Sequence, residues 1–329
     1  MEKFNIQEVS DFKLWDDIIE KTPQYTIFAS SSYLSYTNNK FKLFFVNKGI
    51  VTRAGICILL SDDEKDVVLN DLVIYGGIFF VPQYEQKEVK AKSERFEITD
   101  FLIKFLVNKF RNISLALSTK FEDLRAFLWH NYHLESQFKF TFDLRYTSIL
   151  DISSLSKFND EEETLAFKNL EILRQRNIRK ARRENVITAI ENSNDTIDIF
   201  LKYYEILIKS QGEDVLQSKL QNMRNIIINI LDNKKGVMFV TRNSKGEILY
   251  ITIFIFDKYR AYYLFGAGNP QAVEIYKGAI CFWDAFIKLA QIFDIKELDL
   301  EGINSPQRGW YKLSFGGNIT PYYEINYKG

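Results

Sequence analysis

The chain has 329 residues, 43 Lys and Arg against 43 Asp and Glu, 46% hydrophobic and 26% charged residues, which is enough for two cores and too apolar for disorder. Only 5 Pro and 15 Gly exclude collagen-like and low-complexity architectures. A net charge of zero removes any global electrostatic drive toward nucleic acid or an anionic membrane and leaves only local patches to recognise them.

In chain order, helical spacing is predicted over residues 11–21 and near 31–38, then strands at 41–46 and 51–60, a turn at DDEKD and a strand at 67–75. GGIFFVPQYEQ reads as a loop, followed by a helix at 98–110, a strand at 113–118 and an aromatic strand KFTFDL. The second half predicts helices at 163–184, 195–209 and 216–232, then a meander of strands at 237–242, 248–256 and 261–265. A loop GAGNPQAVEIY leads into a helix from residue 277, a short strand KELDL and a closing strand TPYYEI. The order of three strands, loop, helix and strand thus occurs twice without any residue-level repeat. The expectation is an α/β protein with mixed sheets and two similar lobes, 1–150 and 151–329.

Two cysteines, Cys57 and Cys281, lack metal or redox spacing and form no disulfide framework. His130 and His133, the only histidines, exclude an HEXXH site, and their aromatic surroundings in FLWHNYHL favour packing over catalysis. The N-terminus has no signal-peptide core and no window is apolar enough to span a bilayer, so a cytoplasmic protein without a metal is expected.

Three segments carry possible chemistry. RQRNIRKARREN places Arg176, Arg179, Lys180 and Arg183 on one helix face, suited to phosphate, although acids at residues 160–163 and cations at the far end equally describe a solvated face complementing the helix dipole. The loop with Gly266, Gly268 and Asn269 leads to a helix start at Lys277, Gly278 and Ala279, where free N–H groups suit a pyrophosphate, yet no GxGxxG or P-loop pattern is present. In LDLEGINSPQRGWYKLSFGG, Asp299 and Glu301 lie two apart at a strand end, beside Arg308, Tyr311 and Lys312.

The ending WYKLSFGG resembles the FKxxFGG signature of the FemAB-like acyltransferases, built from two GNAT (N-acetyltransferase) lobes, with Tyr311 in place of the usual Phe. IFASSSYL, YGGIFF, RQRNIRKA, the Trp283 helix and LDLEG are similar to further family stretches in the same order, LDLEG standing where the family has D-x-G-G. The resemblance implies transfer of an acyl group to an amine: from acetyl-CoA or another acyl-CoA to a nucleotide- or lipid-linked amino sugar of an envelope glycan, or, as the alternative, from aminoacyl-tRNA to a peptidoglycan precursor. A non-catalytic tandem-lobe binding protein is the reading from another class. The family's tRNA-binding helical hairpin is not evident, which favours the thioester. Lys312 would then stabilise the oxyanion, Asp299 or Glu301 act as base and Tyr311 as acid; Gly266, Gly268, Asn269, Lys277, Gly278 and Ala279 would hold CoA, and Arg176, Arg179, Lys180, Arg183 and Arg308 the acceptor.

Overall fold

A computed structural model describes residues 3–134 and 137–329. Two compact units emerge, one of residues up to Arg145 with Pro321–Gly329, the other Tyr146–Thr320. The closing residues therefore return to the first unit, whereas the sequence assigned them to the second lobe.

The first part of the chain runs β1 (Asn5–Glu8), α1 (Phe12–Ile19), α2 (Ser31–Tyr36), β2 (Lys40–Lys48), β3 (Val51–Leu60), β4 (Val67–Val68), β5 (Gly77–Phe80), α3 (Glu88–Lys109), β6 (Asn112–Ala116), α4 (Arg125–Trp129) and β7 (Thr141–Asp151). It continues with α5 (Leu165–Lys168), α6 (Ile172–Arg183), β8 (Ile187–Ile190), α7 (Asn194–Ser210), α8 (Gln217–Asp232), β9 (Gly236–Arg242), β10 (Ile248–Phe256), β11 (Arg260–Gly268), α9 (Lys277–Ile292), β12 (Glu297–Asp299), α10 (Pro306–Leu313) and β13 (Asn318–Lys328).

In the first unit β1, β2 and β3 are antiparallel neighbours; β3 also pairs with β4 and β5, and β6 joins β4 in parallel and residues 324–328 of β13 in antiparallel sense. Ile98, Leu102, Ile103 and Leu106 of α3 bury one stripe against Phe44, Ile56, Ile113 and Ile325. Two predictions shift here. GGIFF is a strand rather than a loop, and α3 begins ten residues before the predicted helix because Glu88–Arg95 is rich in helix-forming charged residues that carry no apolar period. The strand predicted at 67–75 shrinks to two residues because the Asn70 side chain accepts from Leu72 N at 2.7 Å and turns the chain.

In the second unit the strand order is β7-β12-β11-β10-β9-β8, all antiparallel except β12 with β11. Ile280, Trp283, Phe286 and Leu289 of α9 pack on Val237, Phe239 and Phe254 of the sheet. The helix predicted at 163–184 is broken: α5 ends at Lys168, and α6 starts after a turn in which Glu171 N donates to Ser314 O at 2.9 Å. Residues 187–190 form a strand and residues 306–313 form α10, with Pro306 in its first turn, two elements absent from those the sequence predicts.

The paired glycines after Phe315 have steric causes. Gly316 has φ +84°, and a Cβ there would lie 2.5 Å from the Asn169 carbonyl oxygen; a Cβ on Gly317 would strike Ser148 Oγ and Leu150. Gly316→Ala is expected to lower stability by about 2–4 kcal/mol, read from the urea midpoint, through left-handed strain plus a backbone clash. Gly49→Ala, at φ +63° with open space around it, should lose only the strain, about 1 kcal/mol.

Candidate functional site

The candidate catalytic residues gather in the second unit where β11 and β12 part. They pair only over Arg260–Tyr262 and Glu297–Asp299, after which β11 runs on beside β10 to Gly268 while the chain beyond Asp299 stays with β7. Asp299 is fully buried and holds this junction: its Oδ1 accepts from Glu301 N at 2.7 Å and from the Thr147 hydroxyl, and its Oδ2 lies 3.9 Å from Arg260 Nη1. Glu301 takes a left-handed backbone, φ +57°, unusual for a residue with a Cβ. The alternation that would have put Asp299 and Glu301 on one side of a strand ends there.

Glu301 is buried, its Oε1 has no hydrogen-bond partner, and burial drives its carboxyl well above the usual carboxylate range, with Asp299 adding and Lys312 opposing. Lys312, from the last turn of α10, donates to Gly302 O at 3.2 Å and sits 5.2 Å from the centre of the Tyr263 ring. Burial lowers its ammonium from the ordinary lysine value against the pull of Glu301 and Asp299, and the Arg308 charge pushes the same way as burial. Arg308 itself is exposed.

Tyr311 packs edge-on against Phe282 and Phe315, with ring centres at 5.7 and 5.4 Å, and Arg174 lies over its face at 4.7 Å. Its hydroxyl is buried without a partner, and burial raises the phenol well above its ordinary value. Arg174 is in turn fixed by a 2.7 Å bond from Nε to Ser314 Oγ. The sequence reading left Arg174, Thr147 and Tyr263 out of the site; Arg174 stood in the basic run, whereas nothing local marked the other two.

The structure gives the loop after β11 internal partners. A Cβ on Gly266 would lie 2.5 Å from the Tyr263 hydroxyl, one on Gly268 3.0 Å from the Tyr250 ring, and one on Gly278 2.6 Å from the Tyr311 hydroxyl. Lys277 Nζ donates to the carbonyls of Asn269 and Ala272 at 2.8 and 2.7 Å, and burial lowers its ammonium. The N-terminus of α9, followed by Gly278 and Ala279, has no side-chain cap. Lys277, Gly278 and Ala279 thus sit together, Lys277 also clasping its own loop.

The basic helix divides by partner. Arg179 forks onto Glu162, and Lys180 lies 3.7 Å from Glu184. Arg182 forks onto Glu161 and reaches Asp284 at 2.6 Å, while Trp283 Nε1 also donates to Glu161 at 2.8 Å. Arg176 and Arg183 are exposed and form no ion pair among the described residues.

Other candidates fall outside this cluster. Burial pushes the Cys57 and Cys281 thiols up to about 12, so neither is a ready thiolate. His130 packs edge-on against Phe140 and Tyr327, and burial lowers its imidazole. Among the described residues no three His, Cys, Asp or Glu group as a metal site, and no helix is long and apolar enough to cross a membrane.

This architecture is the α/β FemAB-like fold of two tandem GNAT-like lobes. FemX matches with a TM-score of 0.63 at 11% identity, over 97% of this chain and 96% of FemX. A tandem GNAT protein from the clavulanic acid biosynthesis pathway matches with a TM-score of 0.55 at 8% identity, over 98% of each chain. L-PGS from Bacillus licheniformis matches with a TM-score of 0.56 at 11% identity, over 98% of this chain and 93% of that one. No protein-family model matches the sequence, and no curated protein does.

The pairing pattern on α6 gives a graded expectation. Arg182→Ala strands Glu161 and the buried Asp284 and should cost about 2 kcal/mol, less than for a fully buried pair because part of the guanidinium meets water. Arg183→Ala should change stability by less than about 0.5 kcal/mol in the same denaturation series.

Proposed function

We propose that this chain is an N-acyltransferase working by direct aminolysis in the second unit, with an acyl-CoA, acetyl-CoA first among them, as donor. The acceptor is an amino group on a nucleotide- or lipid-linked sugar. The observation that carries the reading is the buried Glu301 carboxyl and the half-buried Lys312 ammonium acting on each other where β11 and β12 part, with the unpartnered Tyr311 hydroxyl from the same helix as Lys312. The fold likeness is compatible with acyl transfer and does not by itself choose the donor or acceptor.

An attacking amine must lose a proton as the carbon–nitrogen bond forms, and a carboxylate of raised proton affinity is suited to take it. Glu301 fills that role better than Asp299, whose Oδ1 is already committed to Thr147 and to the Glu301 N–H. Lys312 would neutralise the negative charge that develops on the carbonyl oxygen, and Tyr311 would return a proton to the departing sulfur. The buried thiols favour a direct attack over an acyl-enzyme on cysteine. Donor phosphates would lie at the uncapped start of α9 near Lys277, Gly278 and Ala279, with Gly266, Gly268 and Asn269 shaping the loop. Arg176 and Arg183, together with Lys180, Arg179 and Arg308, would meet acceptor phosphates, the two unpaired arginines most strongly.

The working form needs Glu301 ionised and Lys312 protonated, while burial raises the first and lowers the second. Turnover should therefore follow a narrow bell whose two limbs belong to the coupled pair. Glu301→Gln is expected to reduce kcat about a hundredfold or more and remove the acid limb; Lys312→Ala should cost about a hundredfold. Stability has a separate signature. Because the folded pKa of Glu301 is raised, its contribution is complete below the unfolded value of about 4.3 and is lost as pH rises through the folded pKa, a slope that Glu301→Gln should abolish. Lys312, lowered, contributes above its unfolded value and loses that contribution as pH falls through its folded pKa.

Acyl transfer is assayed by mass spectrometry of an amino-sugar nucleotide incubated with acetyl-CoA, with and without ribonuclease. Acetylated product that survives ribonuclease supports the thioester donor, and product seen only with charged tRNA and lost on ribonuclease treatment would replace it with the aminoacyl alternative. Acyl transfer unchanged in Glu301→Gln and Lys312→Ala would remove both from the mechanism.

A further inference from the structure

The first unit contains a cavity of about 310 Å³ bounded by β3, the end of β5, the loop after it and the first three turns of α3. Its size is that of small-molecule sites and about ten times the share of one water in the liquid. Backbone and amide contacts fix its walls: Val81 N donates to Arg53 O at 2.9 Å, Gln24 Oε1 accepts from Phe80 N at 3.0 Å, and Gln83 Nε2 donates to Val81 O at 3.0 Å. Phe80, Val81 and Ile98 add apolar surface.

The lining carries two cations, Arg53 and Arg95, and two carboxylates, Glu88 and Glu94, and Lys48 from outside brings a third cation onto Glu94. Arg95 bonds Glu88 at 2.6 Å, and Lys48, from outside, bonds the buried carboxylate of Glu94 at 2.7 Å. Arg53 has to share Glu94 with Lys48: its Nε is buried, lies 3.4 Å from Glu94 Oε1 and makes no hydrogen bond. A dehydrated guanidinium N–H without an acceptor is costly unless something supplies one. The cavity also meets the start of α3, a helix of 22 residues whose N-terminus has no side-chain cap, so the local field favours negative charge.

We propose that this cavity binds a small carboxylate-bearing ligand of about dipeptide size, with Arg53 anchoring the carboxylate. Counted with Lys48, the cluster holds three cations to two carboxylates, so that one ligand carboxylate balances it, and Glu88 and Glu94 on the same wall oppose a more highly charged anion such as a phosphate while accepting a ligand ammonium or amide N–H. The apolar residues accommodate small side chains. The site uses no residue of the acyl-transfer reading and stands whether or not that reading holds.

Isothermal titration of the full chain with L-alanyl-L-alanine, its C-terminal amide and inorganic phosphate tests it. The dipeptide should bind with a Kd of about 1 mM or tighter, and the amide about tenfold or more weaker, as expected for loss of a charge-assisted guanidinium contact. Arg53→Gln should lose the dipeptide by the same factor. No binding of the dipeptide well above that concentration, equal binding of acid and amide, or phosphate binding as tightly as the dipeptide would each overturn the assignment. If Arg53→Gln fails to fold, the comparison of acid with amide on the wild-type chain decides.

Discussion

The geometry of the candidate site depends on one buried carboxylate. Asp299 has no access to water and is satisfied by the Thr147 hydroxyl and by the N–H of Glu301, two residues ahead in its own chain. That second bond closes a tight local turn and stabilises a left-handed backbone at Glu301 that would otherwise cost about 1–2 kcal/mol. From the turn onward the chain follows β7, with Leu300 N on Ser148 O, Ile303 N on Tyr146 O and the Asn304 side chain bonded to both backbone groups of Tyr146. β11 is released from its neighbour at the same point. The opening that receives Lys312 is thus a consequence of how one buried charge is satisfied.

The tyrosines supply the lining. Tyr250, Tyr263 and Tyr311 bring three phenols into a small volume, with Tyr263 hydrogen-bonded to Tyr250, and each presses on the backbone of a different glycine. A larger residue at Gly266 or Gly278 would collide with a buried phenol. Glycines that open a backbone to a phosphate and glycines that open it to an aromatic ring have the same signature in sequence, which is why the loop after β11 reads so readily as a ligand cradle. The ring contacts explain the three glycines without a ligand, while the uncapped α9 terminus beside them remains a suitable seat for an anion.

Much of the fold was legible because strong periodicity and turn residues mark it. The meander β9-β10-β11, the long apolar stripe of α9 and the short strand β12 follow from alternation, helical spacing and the loops between them. What escaped lacks a local pattern. β5 is four apolar residues, β8 is four residues of mixed burial, and the first two turns of α3 are charged. α10 is only two turns long and includes Gly309, so its sequence resembles a loop until Lys312 is seen reaching inward from its last turn. At the site, Glu301 and Lys312 were legible as reactive residue types. Their burial, the commitment of Asp299 to Thr147, and the stacking of Arg174 on Tyr311 depend on contacts from more than a hundred residues away in sequence.

The basic helix shows how one sequence feature can satisfy two readings. Its acids and cations do not complement a single helix dipole, because Glu161 and Glu162 lie in a short 3-10 turn before α5 and reach Arg182 and Arg179 across the turn that separates α5 from α6. Those ion pairs tie α6 to the turn before α5, and Arg174 fastens its start to α10 through Ser314 and Tyr311. With Arg174, Arg179 and Arg182 so committed, Arg176 and Arg183 are placed by the helix alone and have no ion-pair partner among the described residues. The paired cations hold α6 in place, and the unpaired ones keep a charge that no neighbouring carboxylate among the described residues offsets.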